Sequence, residues 1–411
     1  MIPFQEALDK ILSEIKPLPG EMVALPDSLG RVIAESICAP RNLPPTDNSA
    51  MDGYAFKHGG PGAEGGTLKM IGDIAAGYKP SRALSPGETF KIMTGAPMPE
   101  GADTVVPVED TSIEDDIVTI KNTPSQGANV RKEGEDVLKG DEVIPAGTRV
   151  RPAEVGMIAS MGRTFIRVRQ RPRVAILSTG DEIVEVDAHD PGDKIINSNS
   201  HGLAAQVADA GAIPVRIGIG RDDPEGLMEV LSEALLCDVV ITTGGVSMGD
   251  YDFVRDVLAQ WGMEPRFWKV AIKPGKPVLF GMKGSVPVFG LPGNPVSALV
   301  SFEQFVRPAL RKLMGAKRLF RPVFKALLTE EAGALETRGG RTEFIRCIVK
   351  RHEGTFKVTF LGRRGSGMLS TLVEANALLI LPTDRSKVVP GELVDVQIFD
   401  YDFFEGSEPG W

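Results

Sequence analysis

Cysteine is scarce in this 411-residue chain, and the three present, Cys38, Cys237 and Cys347, lie far apart. With no C-x-x-C pair and no histidine at ligand spacing, neither a disulfide framework nor a structural zinc site is available, and such usage suits a reducing cytoplasm. Long apolar runs are missing too: none approaches the ~20 residues of a membrane-spanning helix. Phe4, Leu8, Ile11, Leu12 and Ile15 recur at helical spacing among Glu6, Asp9, Lys10 and Glu14, which is not the basic-then-apolar order of a signal peptide. A soluble cytoplasmic protein is expected. Positive charge is in deficit, with 46 Lys and Arg against 55 Asp and Glu and a net charge of −9. That balance argues against nucleic acid or an anionic membrane surface as the main partner, so any basic site is local. Two phosphate-binding signatures are absent as well, G-x-x-x-x-G-K-S/T and a strand-closing G-x-G-x-x-G, which leaves neither an ordinary P-loop nor a dinucleotide fingerprint.

The length exceeds what one hydrophobic core organises, and 42% apolar residues suffice for several, so two to four domains are expected. After a helix over residues 3–16, Asp27 is placed to cap a short second helix that passes through Leu29 and Val32 until Pro40 stops it. Residues 40–54 hold Pro40, Pro44, Pro45 and Gly53 among short polar side chains and should form an extended, ordered loop. Residues 55–145 are punctuated by Gly and Pro, and β-rich runs at 67–71, 89–93, 103–108 and 117–120 predict a small β-barrel-like module. Pro152 then opens a helix, with Val155, Ile158, Ala159 and Met161 on its buried face, before a basic strand at 163–171. From Arg173 near-continuous apolar strands (174–177, 213–219, 239–241, 278–280, 286–289) alternate with helices (199–210, 224–236, 251–261, 295–314). This is the pattern of a doubly wound, parallel α/β sheet buried on both faces. Strands return at 323–328, 343–349, 356–360, 378–381 and 393–399 as a separate β-domain, with an acidic tail from Glu405. The corresponding units are 1–50 with 146–171, 51–145, 172–317 and 318–411.

Within the α/β segment, three apolar runs end in Gly-rich turns loaded with polar residues, the way an open sheet presents a binding edge at the carboxyl ends of its strands. In Thr243-Gly244-Gly245-Val246-Ser247 the glycines let backbone N–H groups approach an anion while Ser247 adds a donor, although a plain strand-to-helix turn would look the same. Lys269, Lys273 and Lys276 surround Pro274-Gly275 and Pro277, which can aim ammonium groups at phosphate oxygens or simply form loop surface. Pro292, Gly293, Asn294, Pro295 and Ser297 place an amide and a hydroxyl at a helix start, where Asn294 also serves as an ordinary N-cap. Carboxylates recur at these edges: Asp181 and Glu182, Asp222 and Asp223, Asp250 and Asp252. Hard oxygens near phosphate-binding lysines suit Mg²⁺ on a phosphoanhydride, while each carboxylate alone suits a cap or a solvated surface. Asp52 alone is a turn residue, and Arg131 to Asp136 alone a solvated turn. The residues therefore point to an α/β enzyme that handles a phosphorylated small molecule with Mg²⁺.

The ordered set of motifs adds to this. Ser49-Ala50-Met51-Asp52-Gly53-Tyr54, Met93-Thr94-Gly95-Ala96-Pro97, Gly134-Glu135-Asp136-Val137, Ser178-Thr179-Gly180-Asp181-Glu182, Thr243-Gly244-Gly245-Val246-Ser247, Lys273-Pro274-Gly275-Lys276-Pro277, Gly290 to Ser297, Gly340-Arg341 and Gly365-Ser366-Gly367 occur in that order. In them the chain resembles the molybdopterin molybdenumtransferases, or molybdenum insertases, of the MoeA and gephyrin E-domain type. The resemblance implies a central MogA-like α/β domain with flanking β-barrel-like modules. It implies molybdenum cofactor biosynthesis, with molybdate inserted into adenylylated molybdopterin and AMP released. It also implies a homodimer whose active site is shared, with Asp52 and Thr94 brought to the α/β domain of the other subunit. By the same resemblance Asp52, Thr94, Asp136, Glu182, Asp222, Asp252, Lys269, Lys273, Lys276, Arg341 and Ser366 become site residues. Glu182 and Asp252 are expected on Mg²⁺, with Asp250 as the alternative to Asp252; Lys273 and Lys276 on phosphate oxygens; Arg341 and Ser366 on molybdate. A molybdopterin adenylyltransferase is the candidate protein partner. Two other readings share the pattern: a non-catalytic molybdopterin-binding scaffold, and the preceding adenylyltransferase.

Overall fold

The computed structural model describes residues 1–63, 65–221, 223–245, 253–352, 354–363 and 365–404. Its first helix, α1 (Phe4–Glu14), buries Ala7, Leu8 and Ile11 on one stripe. That stripe enters the core of the α/β sheet rather than that of the neighbouring N-terminal segment. Strand β1 (Gly20–Ala24) follows. The second helix expected to run through Leu29 and Val32 is a single 3₁₀ turn, Leu25–Ser28. Gly30 leaves helical space at φ 78°, and the next amides pair elsewhere, Gly30 N with Val150 O at 2.8 Å and Ile33 N with Thr148 O at 2.9 Å. Tertiary partners override the local helical pattern there.

The next unit is a six-stranded sheet. β2 (Gly53–Phe56), β3 (Thr67–Ile74), β4 (Glu88–Ile92), β5 (Thr104–Pro107), β6 (Thr111–Glu114) and β7 (Ile117–Ile120) stand in the order β5-β2-β4-β3-β7-β6. Phe56, Val106 and Val118 fill one side and Phe90, Ile92 and Val105 the other. α2 (Pro152–Ser160) and β8 (Phe165–Arg169) then return to pair with β1.

The α/β unit contains β9 (Arg173–Thr179), α3 (Ser198–Asp209), β10 (Ile213–Gly220), α4 (Pro224–Ala234), β11 (Val239–Thr243), α5 (Phe253–Gln260), β12 (Glu264–Phe267), β13 (Ile272–Lys273), β14 (Leu279–Lys283), β15 (Val286–Leu291) and α6 (Pro295–Ser301). The sheet order is β10-β9-β11-β15-β14-β12. Along β9 the side chains alternate between two cores, Val174 and Ile176 with α3 and α6, Ala175 and Leu177 with α4 and α5, so both faces are covered as a near-continuous apolar run requires. The sheet is not wholly parallel. β14 and β15 form an antiparallel hairpin around Gly284 (φ 59°), and β12, a strand the periodicity misses, pairs antiparallel with β14. The two residues between Lys283 and Val286 leave no room for a parallel crossover, which needs a dozen or more. The long helix expected at 295–314 is interrupted by a π-helical turn at Phe302–Val306 before α7 (Arg307–Leu313), because Pro308 has no N–H to continue the ladder.

The C-terminal strands β16 (Val323–Leu328), β17 (Thr342–His352), β18 (Thr355–Phe360), β19 (Ala377–Leu381) and β20 (Leu393–Ile398), with α8 (Ser370–Glu374), close a five-stranded barrel in the order β17-β18-β16-β20-β19 and back to β17. Strand β13 leaves the α/β unit and pairs parallel with β17, Lys273 beside Glu343. This two-residue ladder joins sheet to barrel. The acidic segment from Glu405 lies outside the described residues.

Candidate active site

The carboxyl ends of β9, β11 and β15 are adjacent, Ser178 beside Thr243 and Thr243 beside Leu291, so the segments that follow share one edge. Gly244 and Gly245 take φ of 94° and 60°. A Cβ on Gly244 would stand 2.6 Å from the Thr179 carbonyl, which is why the turn closes onto β9 only with glycine. Asn199 on α3 ties the edge together: Nδ2 donates to Thr243 Oγ1 at 3.0 Å and to Gly293 O at 2.7 Å. Thr243 Oγ1 in turn donates to Pro292 O at 3.2 Å. Glu182 is exposed, and its carboxylate lies against Gly180. Asn294 stands at the N-cap position of α6 with Pro295 in the first turn, yet its side chain makes no capping hydrogen bond. The ordinary cap expected there is absent, and the exposed amide faces solvent instead. Ser247, Asp222, Asp250 and Asp252 lie outside the described residues. Asp223 is committed to α4, where its Oδ1 accepts Gly226 N at 2.7 Å.

A cleft forms where β13 meets the barrel. Lys273 Nζ lies 3.2 and 3.1 Å from the two oxygens of Glu343, a buried carboxylate. Gly275 (φ 100°) lets the chain run against Ser301 Oγ, a position a side chain would occupy. Lys273, Lys276, Ser297, Glu343, Arg346 and Ser366 are among the residues that, with Arg341, line a cavity of about 280 Å³. Arg341 makes no hydrogen bond or ion pair with a described residue. Buried Arg346 holds the wall: Nε donates to Thr371 Oγ1 at 3.0 Å, and Nη2 to Arg363 O at 3.2 Å and Gly365 O at 3.0 Å. The Ser366 carbonyl accepts Val296 N at 3.1 Å, so the barrel loop touches the start of α6. Sequence reasoning missed Glu343 and Arg346. The available signal was charge inside an apolar strand, Glu343-Phe344-Ile345-Arg346-Cys347-Ile348, where buried charge needs a partner. Lys269 is not among the lining residues; its carbonyl accepts Ile2 N at 2.9 Å.

Asp52, Thr94 and Asp136 are all exposed on the N-terminal unit. Thr94 donates to Asp52 Oδ1 from both its N–H and its hydroxyl, each at 2.7 Å. First the Thr94 N–H and then its hydroxyl hold the Asp52 carboxyl below the usual carboxylate range. Asp136 N donates to Leu43 O at 3.0 Å, and its carboxylate points outward. The adjoining charged run is ordered by Asp47, which accepts Lys132 Nζ and Glu133 N, each at 2.8 Å. No hydrogen bond, ion pair or shared cavity among the described residues connects these three side chains to the cleft.

Among the described residues no group of three or more His, Cys, Asp or Glu could hold a metal. Glu182 supplies the hard-oxygen chemistry that magnesium takes.

Sheet edge and cleft together define a multidomain α/β protein with a basic cleft where a doubly wound sheet meets a β-barrel. Residues 2–162 match the MoeA N-terminal region (domain I and II), residues 175–312 the probable molybdopterin binding domain, and residues 331–399 the MoeA C-terminal region (domain IV). Molybdopterin molybdenumtransferase of Haemophilus influenzae is 35% identical over 98% of this chain and 99% of its own length. The protein of that name from a Nostoc species is 37% identical over 90% and 87%, and molybdopterin molybdenumtransferase 2 of Mycobacterium tuberculosis 38% over 96% and 98%. The crystal structure of the molybdopterin biosynthesis moeA protein from Pyrococcus horikoshii superposes with a TM-score of 0.83 at 31% identity, covering 97% of this chain and 100% of that one. The chain belongs to the molybdopterin molybdenumtransferase family. Membership makes it a transferase of molybdenum cofactor biosynthesis and favours that reading over a non-catalytic scaffold or the adenylyltransferase. No helix among the described residues is long and apolar enough to cross a membrane.

Proposed function

We propose that this chain inserts molybdate into adenylylated molybdopterin and releases AMP, in the cytoplasm, as a homodimer organised in the four units delimited above. The observation that carries the reading is the convergence of Lys273, Lys276, Ser297, Arg341 and Ser366 on one small cavity beside the sheet edge. Ammonium, guanidinium and hydroxyl donors are what a tetrahedral oxyanion and a pyrophosphate both require. Lys273 and Lys276 hold phosphate oxygens, and the Gly244-Gly245 turn with Ser247 and the exposed Asn294 hold the rest of the substrate at the edge, near Lys269, Pro292 and Pro295. Arg341 and Ser366 receive molybdate. Glu182 and Asp252 would hold Mg²⁺, which when bound screens the pyrophosphate charge. Asp52, Thr94 and Asp136 come from the second copy, since no interaction among the described residues links them to this chain's own cleft; Asp222 belongs with the carboxylates of the α/β edge. A molybdopterin adenylyltransferase is the partner suited to deliver the substrate. Molybdate-dependent AMP release from adenylylated molybdopterin with Mg²⁺ is the test; release that does not depend on molybdate, or none at all, removes the proposal.

A further inference from the structure

A second cavity, of about 500 Å³, opens beside the cleft and is lined by Lys273, Glu336, Thr337, Arg338 and Arg341. It shares Lys273 and Arg341 with the inner cavity, so the two are consecutive chambers. The turn that lines the outer one is built rather than loose. Thr337 N donates to Ser386 O at 2.8 Å, Gly340 N to Thr383 O at 3.0 Å and Thr342 N to Ala271 O at 2.9 Å. Gly339 and Gly340 hold left-handed φ of 66° and 72°, a sharp reversal that sets Arg338 and Arg341 on either side of it.

The charges around this chamber do not cancel. Glu336 accepts Lys387 Nζ at 2.7 Å, and Glu343 accepts Lys273. Both acids are therefore already matched by lysines. Arg338, exposed, and Arg341, half-buried, make no hydrogen bond or ion pair with a described residue. The two guanidiniums, on one pinned turn and without acids of their own, each offer a planar fork that fits an oxyanion edge. On a chain of net charge −9 such an island concentrates small anions locally.

We propose that Arg338, with Arg341 and Lys273, forms a second, outer oxyanion-holding site for tetrahedral dianions, either molybdate on its way in or a phosphate monoester on its way out. The direction of traffic rests on the function proposed above; the site itself does not. Equilibrium dialysis of the full-length protein without pterin, using molybdate and AMP as separate probes, tests it in Arg338→Gln and Arg338→Lys. Arg338→Gln should weaken binding of at least one probe roughly tenfold, the loss of one charge-assisted hydrogen bond, and Arg338→Lys should recover most of it. Loss confined to molybdate identifies the entry arm, and should reappear as a similar rise in KM for molybdate with kcat unchanged. Loss confined to AMP identifies the exit arm. Wild-type binding of both probes by Arg338→Gln overturns the site, as would a lowered melting temperature that accounts for the loss. If wild-type protein shows no molybdate-dependent AMP release yet binding still depends on Arg338, the function fails and the site stands. If release occurs and Arg338→Gln alters neither binding nor KM, the reverse holds.

Discussion

Asp52 accepts both of its short hydrogen bonds through one oxygen and from one neighbour. Because Thr94 depresses the carboxyl pKa in the fold, the charged form is favoured at neutral pH. That preference is lost only as pH falls below the ordinary aspartate value and through the lowered folded one. If turnover needs the Asp52 carboxylate, its acid limb lies in that window. Thr94→Val keeps the N–H and removes the hydroxyl, so the limb should move up towards the ordinary value in a pH–rate profile; an unmoved limb would separate Thr94 from the charge state of Asp52. Lys273 makes a different argument. Replacing it with alanine strands Glu343, only 3% exposed, without its cation. The expected loss is about 2 kcal/mol in chemical denaturation, less than for a fully buried pair because the lysine side chain is 43% exposed and screened. Adding Glu343→Gln should restore most of that stability and none of the AMP release. A double variant no more stable than the single one would show that the pair is not the cause. Lys273 was legible in the sequence from its place before Pro274-Gly275. Glu343 was legible only as charge inside an apolar strand; its partner shows only when β13 sets Lys273 beside it.

The Gly244-Gly245 turn was legible as a close backbone approach, and the structure supplies what is approached. A Cβ on Gly245 would fall within van der Waals contact of a Val254 methyl, at φ 60°, whereas Gly284 has nearly the same φ, 59°, and nothing within 4 Å. Gly284→Ala should then cost about 1 kcal/mol, the left-handed strain alone. Gly245→Ala should cost about 2–3 kcal/mol more through overpacking, and should reduce AMP release as well. Equal melting shifts for the two would mean that the turn yields freely. The alternation of apolar strands with helices gave the sheet and its two covered faces, because period and length are local properties. The antiparallel β12 and β14, the lost helix after Ser28 and the π-helical turn before Pro308 were not readable, because each depends on which distant backbone group a residue meets.

The order of the units follows from changes in composition along the chain, but their meeting point does not. Two residues, Ile272 and Lys273, carry no strand signal of their own, and it is their pairing with Thr342 and Glu343 that turns two domains into one cleft. The same cleft lacks the N-terminal carboxylates: Asp52 and Asp136 lie exposed on their unit, with no interaction among the described residues that brings them to Lys276 or Arg341. A site shared between copies resolves this, and it can be separated from a site within one chain by complementation. Asp52→Ala and Lys276→Ala should each be inactive as homodimers. Co-expressed in equal amounts, half of the dimers are mixed, and each mixed dimer has one site carrying both lesions and one carrying neither. Recovery of about a quarter of wild-type AMP release is therefore expected from closed two-fold symmetry. A site contained in a single chain gives no recovery in the same mixture, because every chain keeps its own lesion, and a monomer in light scattering at micromolar concentration would remove the shared site at the outset.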